Sequence, residues 1–253
     1  MSTPGVFVTG TGTEVGKTVV AAVIAHTLAA EGHKVAVFKP AVTGLDEHPA
    51  DGPESGSPGD FSAHRPLADH ELLRLAAGSG QSDGEIAPYR YGPPASPHLA
   101  AAMAGEEIEP ARLLEVALAA AAAADVLVCE GVGGLLVPLG RVSQPMTEEL
   151  DPAYLVRDLA AELGYPLVIA ASPGLGTINH TLLTIESARA AGLGVATVVL
   201  TPWPREPTEV ERSNLETIAA LGKVEVQTLP LLDLADPTTW PPLHVRMGLF
   251  RDA

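Results

Sequence analysis

Residues 8–18 read VTGTGTEVGKT, from Val8 to Thr18. The stretch closes on Gly16-Lys17-Thr18, as the phosphate-loop pattern G-x-x-x-x-G-K-[ST] does. That pattern asks for glycine at position 11, but the residue there is Thr11, flanked by Gly10 and Gly12. A short apolar run, 5–9, precedes the stretch, and an Ala-, Val- and Leu-rich segment with helical spacing, 17–31, follows it. Strand, glycine-rich turn and helix, in that order, is the context in which N–H groups at a helix N-terminus cradle phosphates. Lys17 then reaches the outer phosphates and the Thr18 hydroxyl binds Mg²⁺. The displaced glycine indicates a variant loop, with its glycines shifted by one.

The same alternation runs down the chain. Strands are predicted at 34–39 (KVAVFK), 125–129 (DVLVC), 166–171 (PLVIAA) and 194–200, and helices at 110–124, 151–163, 178–191 and 208–221. Ser96-Pro97-His98 opens a further helix, with Ser as cap and Pro in the first turn. Continuous apolar strands separated by helices predict a parallel sheet covered on both faces. The fold class is therefore α/β: a doubly wound, mainly parallel sheet with helices on both faces, of the phosphate-loop nucleotide-hydrolase type. Residues 1–253 are read as a single domain. Segment 45–66 (LDEHPADGPESGSPGDFSAHRP) is too rich in Gly, Pro, Ser and acid to bury a core and is expected to be a mobile surface loop. Weak periodicity after residue 237 predicts a segment draped over the surface.

Composition sets the outer limits. With 15 Lys and Arg against 31 Asp and Glu, the formal charge is −16. A nucleic-acid face needs clustered cations, so this balance argues against one, and equally against an anionic membrane. No apolar run reaches the roughly 18 residues that span a bilayer. One cysteine, Cys129, excludes an internal disulfide framework and reads as a buried small hydrophobe. The first strand begins too early to leave room for a signal peptide, so a cytoplasmic protein is expected.

Three further residues share the end of the sheet where the loop lies. Lys39-Pro40 closes the second strand and is followed by Ala41-Val42-Thr43-Gly44; Glu130 ends the strand DVLVC and enters Gly131-Val132-Gly133-Gly134. Carboxyl ends of neighbouring parallel strands share one crevice, so Lys39 and Thr43 can stand beside the phosphate loop. A carboxylate in that position is where a Mg²⁺ ligand belongs. Read singly, each has a plainer meaning: a strand-ending lysine, a solvated strand terminus.

Taken together, GTGTEVGKT, KPAVTG, SPHLAA, CEGVGG and GLGTINH stand in the order and spacing of the dethiobiotin synthetase family, and the sequence resembles that family from about Val6 to Leu200. Its loop has the same extra residue before Gly-Lys-Thr, with a Thr-Glu pair like Thr13-Glu14. The resemblance implies an ATP- and Mg²⁺-dependent ligase. It would join CO₂ (or bicarbonate) to 7,8-diaminononanoate through a phosphorylated carbamate and close the cyclic urea of dethiobiotin. It implies Lys17 and Lys39 as catalytic charge stabilisers, and Thr18, Asp69 and Glu130 as the Mg²⁺ set. Nucleotide contacts are implied along Thr13, Glu14, Val15, Gly16, Lys17, Thr18 and Val19, at Asp69, at Glu130, Gly131, Val132 and Gly133, and at Thr201, Pro202 and Pro230. Substrate contacts are implied at Thr13, Thr43, Thr177, Ile178 and Asn179, the last three serving the partner's site in a homodimer. Asp69, read alone, is a helix cap.

One departure stands out. Where many members carry Asn-Asp to read adenine, this chain has Thr201-Pro202-Trp203-Pro204. The competing readings are a partition or cell-division type ATPase switch and a non-catalytic nucleotide-binding module. The first uses an early loop lysine that Gly10-Thr11-Gly12 lacks; retention of Lys17, Lys39 and Glu130 together speaks against the second.

Overall fold

The apolar runs pair into a six-stranded sheet in which every strand is parallel to its neighbours. A computed structural model of the chain describes residues 3–47, 67–140 and 153–248. The sheet holds β1 (Gly5–Gly10), β2 (Val35–Phe38), β5 (Val126–Gly134), β6 (Leu167–Ala171), β7 (Val195–Trp203) and β8 (Glu225–Pro230), in spatial order β2-β5-β1-β6-β7-β8. A second, two-stranded sheet pairs β3 (Ala41–Val42) with β4 (Tyr89–Arg90). Phe7 of β1 pairs with Cys129 on one side and Leu167 on the other, so β1 is central. The chain leaves β1 to build on both flanks, which puts a crevice at its carboxyl end.

Helix α1 (Lys17–Ala30) lies on one face with α2 (Asp69–Ala77). Val20 through Ala25 are all fully buried, and a helix apolar all round is a core helix. The opposite face is covered by α5 (Pro110–Ala122), α6 (Val156–Leu163), α7 (Thr177–Ala190) and α8 (Glu209–Gly222). Short helices α3 (Asp83–Ile86) and α4 (Pro97–Met103) flank the β2 edge and the β3–β4 pair. The doubly wound fold is therefore as expected from the periodicity. Among the described residues no helix is long and apolar enough to cross a membrane.

Three expectations need revision. Strand β5 does not stop at Cys129 but runs to Gly134, so Glu130 lies inside a strand rather than in a glycine turn. Strand β8 was not foreseen, because at the sheet edge only Leu229 of its six residues is buried and no apolar run marks it. Segment 231–248 does not simply drape over the surface. Trp240 and Leu243 are buried in one apolar cluster with α1, Val199 of β7 and Leu229 of β8. Trp240 packs edge-on against His26 of α1 and donates its indole N–H to Asp233 O at 2.7 Å, while the Leu243 N–H reaches Thr27 Oγ1 at 3.0 Å. Of the loop expected at 45–66, a 3-10 turn at Leu45–Glu47 is seen; the rest lies outside the described residues.

The open edge of the sheet is closed by a side chain. Gln81 accepts from the Val37 N–H at 2.8 Å and donates to the Val37 carbonyl at 3.0 Å, standing in for a neighbouring strand. At the other end of the molecule, Trp240→Ala should destabilise the fold by about 3–5 kcal/mol, the usual result of emptying a buried tryptophan site. Urea unfolding reads this; an unchanged midpoint would show that the tail is not part of the core.

Candidate active site

The loop after β1 owes its shape to close packing. A Cβ on Gly10 would stand 2.7 Å from Val15 Cγ2 and 2.9 Å from Lys17 Cγ, so only glycine lets the loop fold back over the strand end. Gly16 has φ +85°, a left-handed conformation, and a Cβ there would meet Thr201 Cγ2 at 2.5 Å. Gly12 has open space instead and contributes its carbonyl, which accepts from Lys17 Nζ at 2.8 Å. The Thr11 N–H anchors the loop to Ala170 O of β6 at 3.1 Å. Thus the glycines the fold requires are Gly10 and Gly16, with Thr11 free to differ from the usual pattern. No side chain caps α1, whose first-turn N–H groups face the loop.

Lys39 follows β2 directly, and β2 pairs with β5 through Phe38 and Cys129, so the next residues, Lys39 and Glu130, come side by side. Lys39 Nζ lies 2.6 Å from Glu130 Oε1 and 2.8 Å from Asp69 Oδ2. The Thr18 hydroxyl donates to the same Glu130 Oε1 at 2.8 Å. Lys39 is 3 % exposed and Glu130 0 %, while the Asp69 side chain is 44 % exposed. Asp69 is the first residue of α2, and the cap role is taken by its neighbours: the Ala68 N–H donates to Glu71 Oε2 at 2.8 Å. The Asp69 carboxylate is thereby left to face the lysine.

Burial works against the charge on Lys39, but the two carboxylates outweigh it and hold the ammonium above the usual lysine range. Burial likewise works against the Asp69 charge, and Lys39 overcomes it, drawing that carboxyl below its ordinary value. Glu130 goes the other way: complete burial pushes its carboxyl up, against the pull of Lys39. Lys17 is lowered, chiefly by burial and also by Lys39, with Glu130 opposing.

The donor set fits Mg²⁺. Thr18, Asp69 and Glu130 offer hard oxygens, and Glu130 Oε2 is buried without a hydrogen-bond partner among the described residues. No group of three or more His, Cys, Asp or Glu among those residues forms a cage on its own.

The remaining candidates fall into three groups. Thr43 follows β3, half-buried, four residues from Lys39. Gly131, Val132 and Gly133 continue β5; a Cβ on Gly131 would stand 2.9 Å from Val156 Cγ1, which makes that glycine a packing residue. Thr201 is 3 % exposed beneath Gly16, so it props the phosphate loop from below. Pro202 is exposed, joined to Thr201 by a cis peptide bond, and Pro230 ends β8 opposite Trp203. Thr177, Ile178 and Asn179 form the first turn of α7, Thr177 buried and Asn179 exposed. A residue not singled out from sequence, Asn214 of α8, donates to the carbonyls of Pro173 and Gly174 just ahead of that turn. Its one signal is an asparagine in the middle of a helix, where the residue is unfavourable unless bonded. A cavity of about 780 Å³ opens beside Lys34–Ala36, at the amino end of β2 and so on the far side of the sheet from the loop.

A left-handed glycine at the head of α1, a lysine folded over the loop, and a hydroxyl–carboxylate pair beside it place the protein among the phosphate-loop nucleotide hydrolases. A family model described as an AAA domain matches residues 4–237. The "ATP-dependent dethiobiotin synthetase BioD" of Rhodococcus erythropolis (strain PR4 / NBRC 100887) is 40% identical over 234 residues, 90% of this chain and 86% of that protein. The one from Anaeromyxobacter dehalogenans (strain 2CP-1 / ATCC BAA-258) is 41% identical over 217 residues, 86% and 85% of the two chains. The chain belongs to the dethiobiotin synthetase family. A ParA family ATPase from Chlorobium tepidum TLS has a similar structure, with TM-score 0.51 at 14% identity, covering 91% of this chain and 85% of that one. That likeness speaks for the fold alone.

Lys39→Ala would leave Glu130 buried with Thr18 as its remaining donor. Removing one partner of a buried pair destabilises by about 3–5 kcal/mol. The loss should shrink as pH falls. Without the lysine, the Glu130 carboxyl rises further above its unfolded value; a raised carboxyl stabilises below the unfolded pKa and loses that contribution as pH climbs through the folded one. Denaturant unfolding of both proteins from about pH 4 to pH 8 tests this against the ordinary carboxyl range. Equal stability at pH 8 would contradict it.

Proposed function

We infer that this chain, acting as one domain over residues 1–253, closes 7,8-diaminononanoate with CO₂ into dethiobiotin, cleaving ATP to ADP and phosphate. The observation that carries this reading is the lysine held between two carboxylates at the phosphate loop. A partition-type switch takes its further lysine from early in the loop, which Gly10-Thr11-Gly12 lacks; here the second lysine comes from the end of β2 and is held by Glu130 and Asp69.

The chemistry has three steps. One substrate amine attacks CO₂ and, losing a proton, becomes a carbamate. A carbamate oxygen then attacks the γ-phosphorus, and the β–γ bridging bond breaks to release ADP. The second amine attacks the carbamoyl carbon, loses its proton, and expels phosphate as the ring closes. A carbamate is a poor electrophile, and the phosphoryl group supplies its leaving group. Charge builds on phosphoryl oxygens in the middle step, and prearranged cations stabilise it best. Lys17, freed from Gly12 O, turns to the β- and γ-phosphates; Lys39 faces the carbamate and the transferring group. Thr18, Asp69 and Glu130 would hold Mg²⁺, which supplies charge neutralisation for the phosphates. With Lys17 and Lys39 set against Asp69 and Glu130, the formal charges of the cluster balance before substrates arrive.

Thr13, Glu14, Val15, Gly16 and Val19 border the nucleotide in this reading, Thr13 and Thr43 also the diamine. The exposed first turn of α7 takes the substrate carboxylate in the site of a second subunit, which makes the working unit a homodimer. A cytoplasmic enzyme is the natural setting, since the substrates are ATP and a biosynthetic diamine and the one cysteine is buried.

Purified protein given diaminononanoate, bicarbonate, Mg²⁺ and ATP should yield dethiobiotin by mass spectrometry. Lys17→Ala should abolish product, and Lys39→Ala should slow it by roughly 10²-fold with little change in nucleotide affinity, as expected for a donor felt mainly in the transition state. Because Thr201-Pro202 offers fewer side-chain donors and acceptors than Asn-Asp, CTP and GTP should substitute appreciably for ATP. Absence of product from the wild type, or normal product from Lys17→Ala, would refute the reading.

A further inference from the structure

Helix α8 carries one buried amide on an otherwise apolar face. Asn214 is 6 % exposed and sits beside Ile218 and Leu215, which pack on α7 and the sheet. Its Nδ2 reaches across to two consecutive carbonyls, Pro173 O at 2.9 Å and Gly174 O at 3.1 Å. Those carbonyls open the turn between β6 and α7. Gly174 O also accepts from the Thr177 N–H at 3.3 Å, and Gly176, with φ +91°, then heads α7 without any side-chain cap. The turn has little else to hold it: Leu175 is 97 % exposed, and the His180 N–H to Gly176 O bond is long at 3.4 Å.

The fork of two hydrogen bonds therefore does what the missing cap does not. It fixes the peptide planes that set the direction in which the Ile178 and Asn179 N–H groups point. An asparagine here is unfavourable for helix α8 itself, and nothing in the α7–α8 packing needs a polar group. Its hydrogen-bonding capacity is directed wholly at the turn.

We propose that Asn214 is a positioning residue for carboxylate recognition: it holds the head of α7 in the pose that receives the substrate's carboxylate. This rests on the reading of that turn as the carboxylate site. It predicts a residue that never touches substrate, yet sets how strongly the enzyme prefers a carboxylate-bearing diamine.

The test compares 7,8-diaminononanoate with its primary amide, 7,8-diaminononanamide, in wild type, Asn214→Ala and Asn214→Ser. Wild type should favour the acid through KM. In Asn214→Ala the KM for the acid should rise about 10-fold, the scale of an anion at a partly buried helix N-terminus, while the KM for the amide and the kcat change little. The acid–amide preference then collapses. Asn214→Ser keeps one hydroxyl donor and should fall between, and it answers the question if the alanine variant folds poorly. A wild type indifferent to acid or amide would overturn the carboxylate reading of the turn, and the proposal with it. A wild type that discriminates, with Asn214→Ala or Asn214→Ser discriminating equally well, would leave that reading standing and overturn the role of Asn214 alone.

Discussion

The ammonium of Lys39, buried between Glu130 and Asp69, is the contact from which the rest of the site can be reasoned. Three separate elements must arrive together for it to form. Strand β2 has to end beside β5 in a parallel register, α2 has to begin at Asp69, and the phosphate loop has to bring Thr18 onto the same Glu130 oxygen. Buried ion pairs seldom stabilise a fold more than apolar groups of the same shape would. Its placement therefore makes best sense as chemistry. The lysine holds two acids together beside the phosphate loop, drawing the Asp69 carboxyl down and opposing the burial that pushes Glu130 up, while Glu130 Oε2 has no hydrogen-bond partner among the described residues.

The phosphate loop obeys the same logic of tight quarters. Gly10 lies under Val15 and Lys17, and Gly16 lies against the methyl of Thr201, so two of the three glycines are fixed by space and backbone angle. Thr201 consequently supports the loop backbone through its methyl group.

Much of this was legible in the amino-acid sequence. Apolar strands buried on both faces show as unbroken runs, and polar residues at their carboxyl ends stand out, which is how Lys39, Glu130 and the loop could be placed together. Asp69 was legible only through family resemblance, because an acid at a helix start is ordinarily a cap and here Glu71 takes that part. Other features leave no periodic trace. Edge strand β8 buries only Leu229 fully; β5 continues through glycines that look like a turn; Trp240 is buried just after a single 3-10 turn in the tail. Asn214 acts through two backbone carbonyls some forty positions away, a relation no local pattern encodes.

The proposed reaction bonds a carbamate oxygen to phosphorus, and oxygen labelling follows that bond directly. Diaminononanoate, unlabelled ATP and C¹⁸O₂ are mixed with the enzyme in unlabelled water, for a time shorter than CO₂–water exchange, and the inorganic phosphate is analysed by mass spectrometry. One ¹⁸O should appear in each phosphate released, with the second retained in the ureido carbonyl of dethiobiotin. Unlabelled phosphate, formed alongside labelled dethiobiotin, would contradict a phosphorylated carbamate and with it the role given to Lys39.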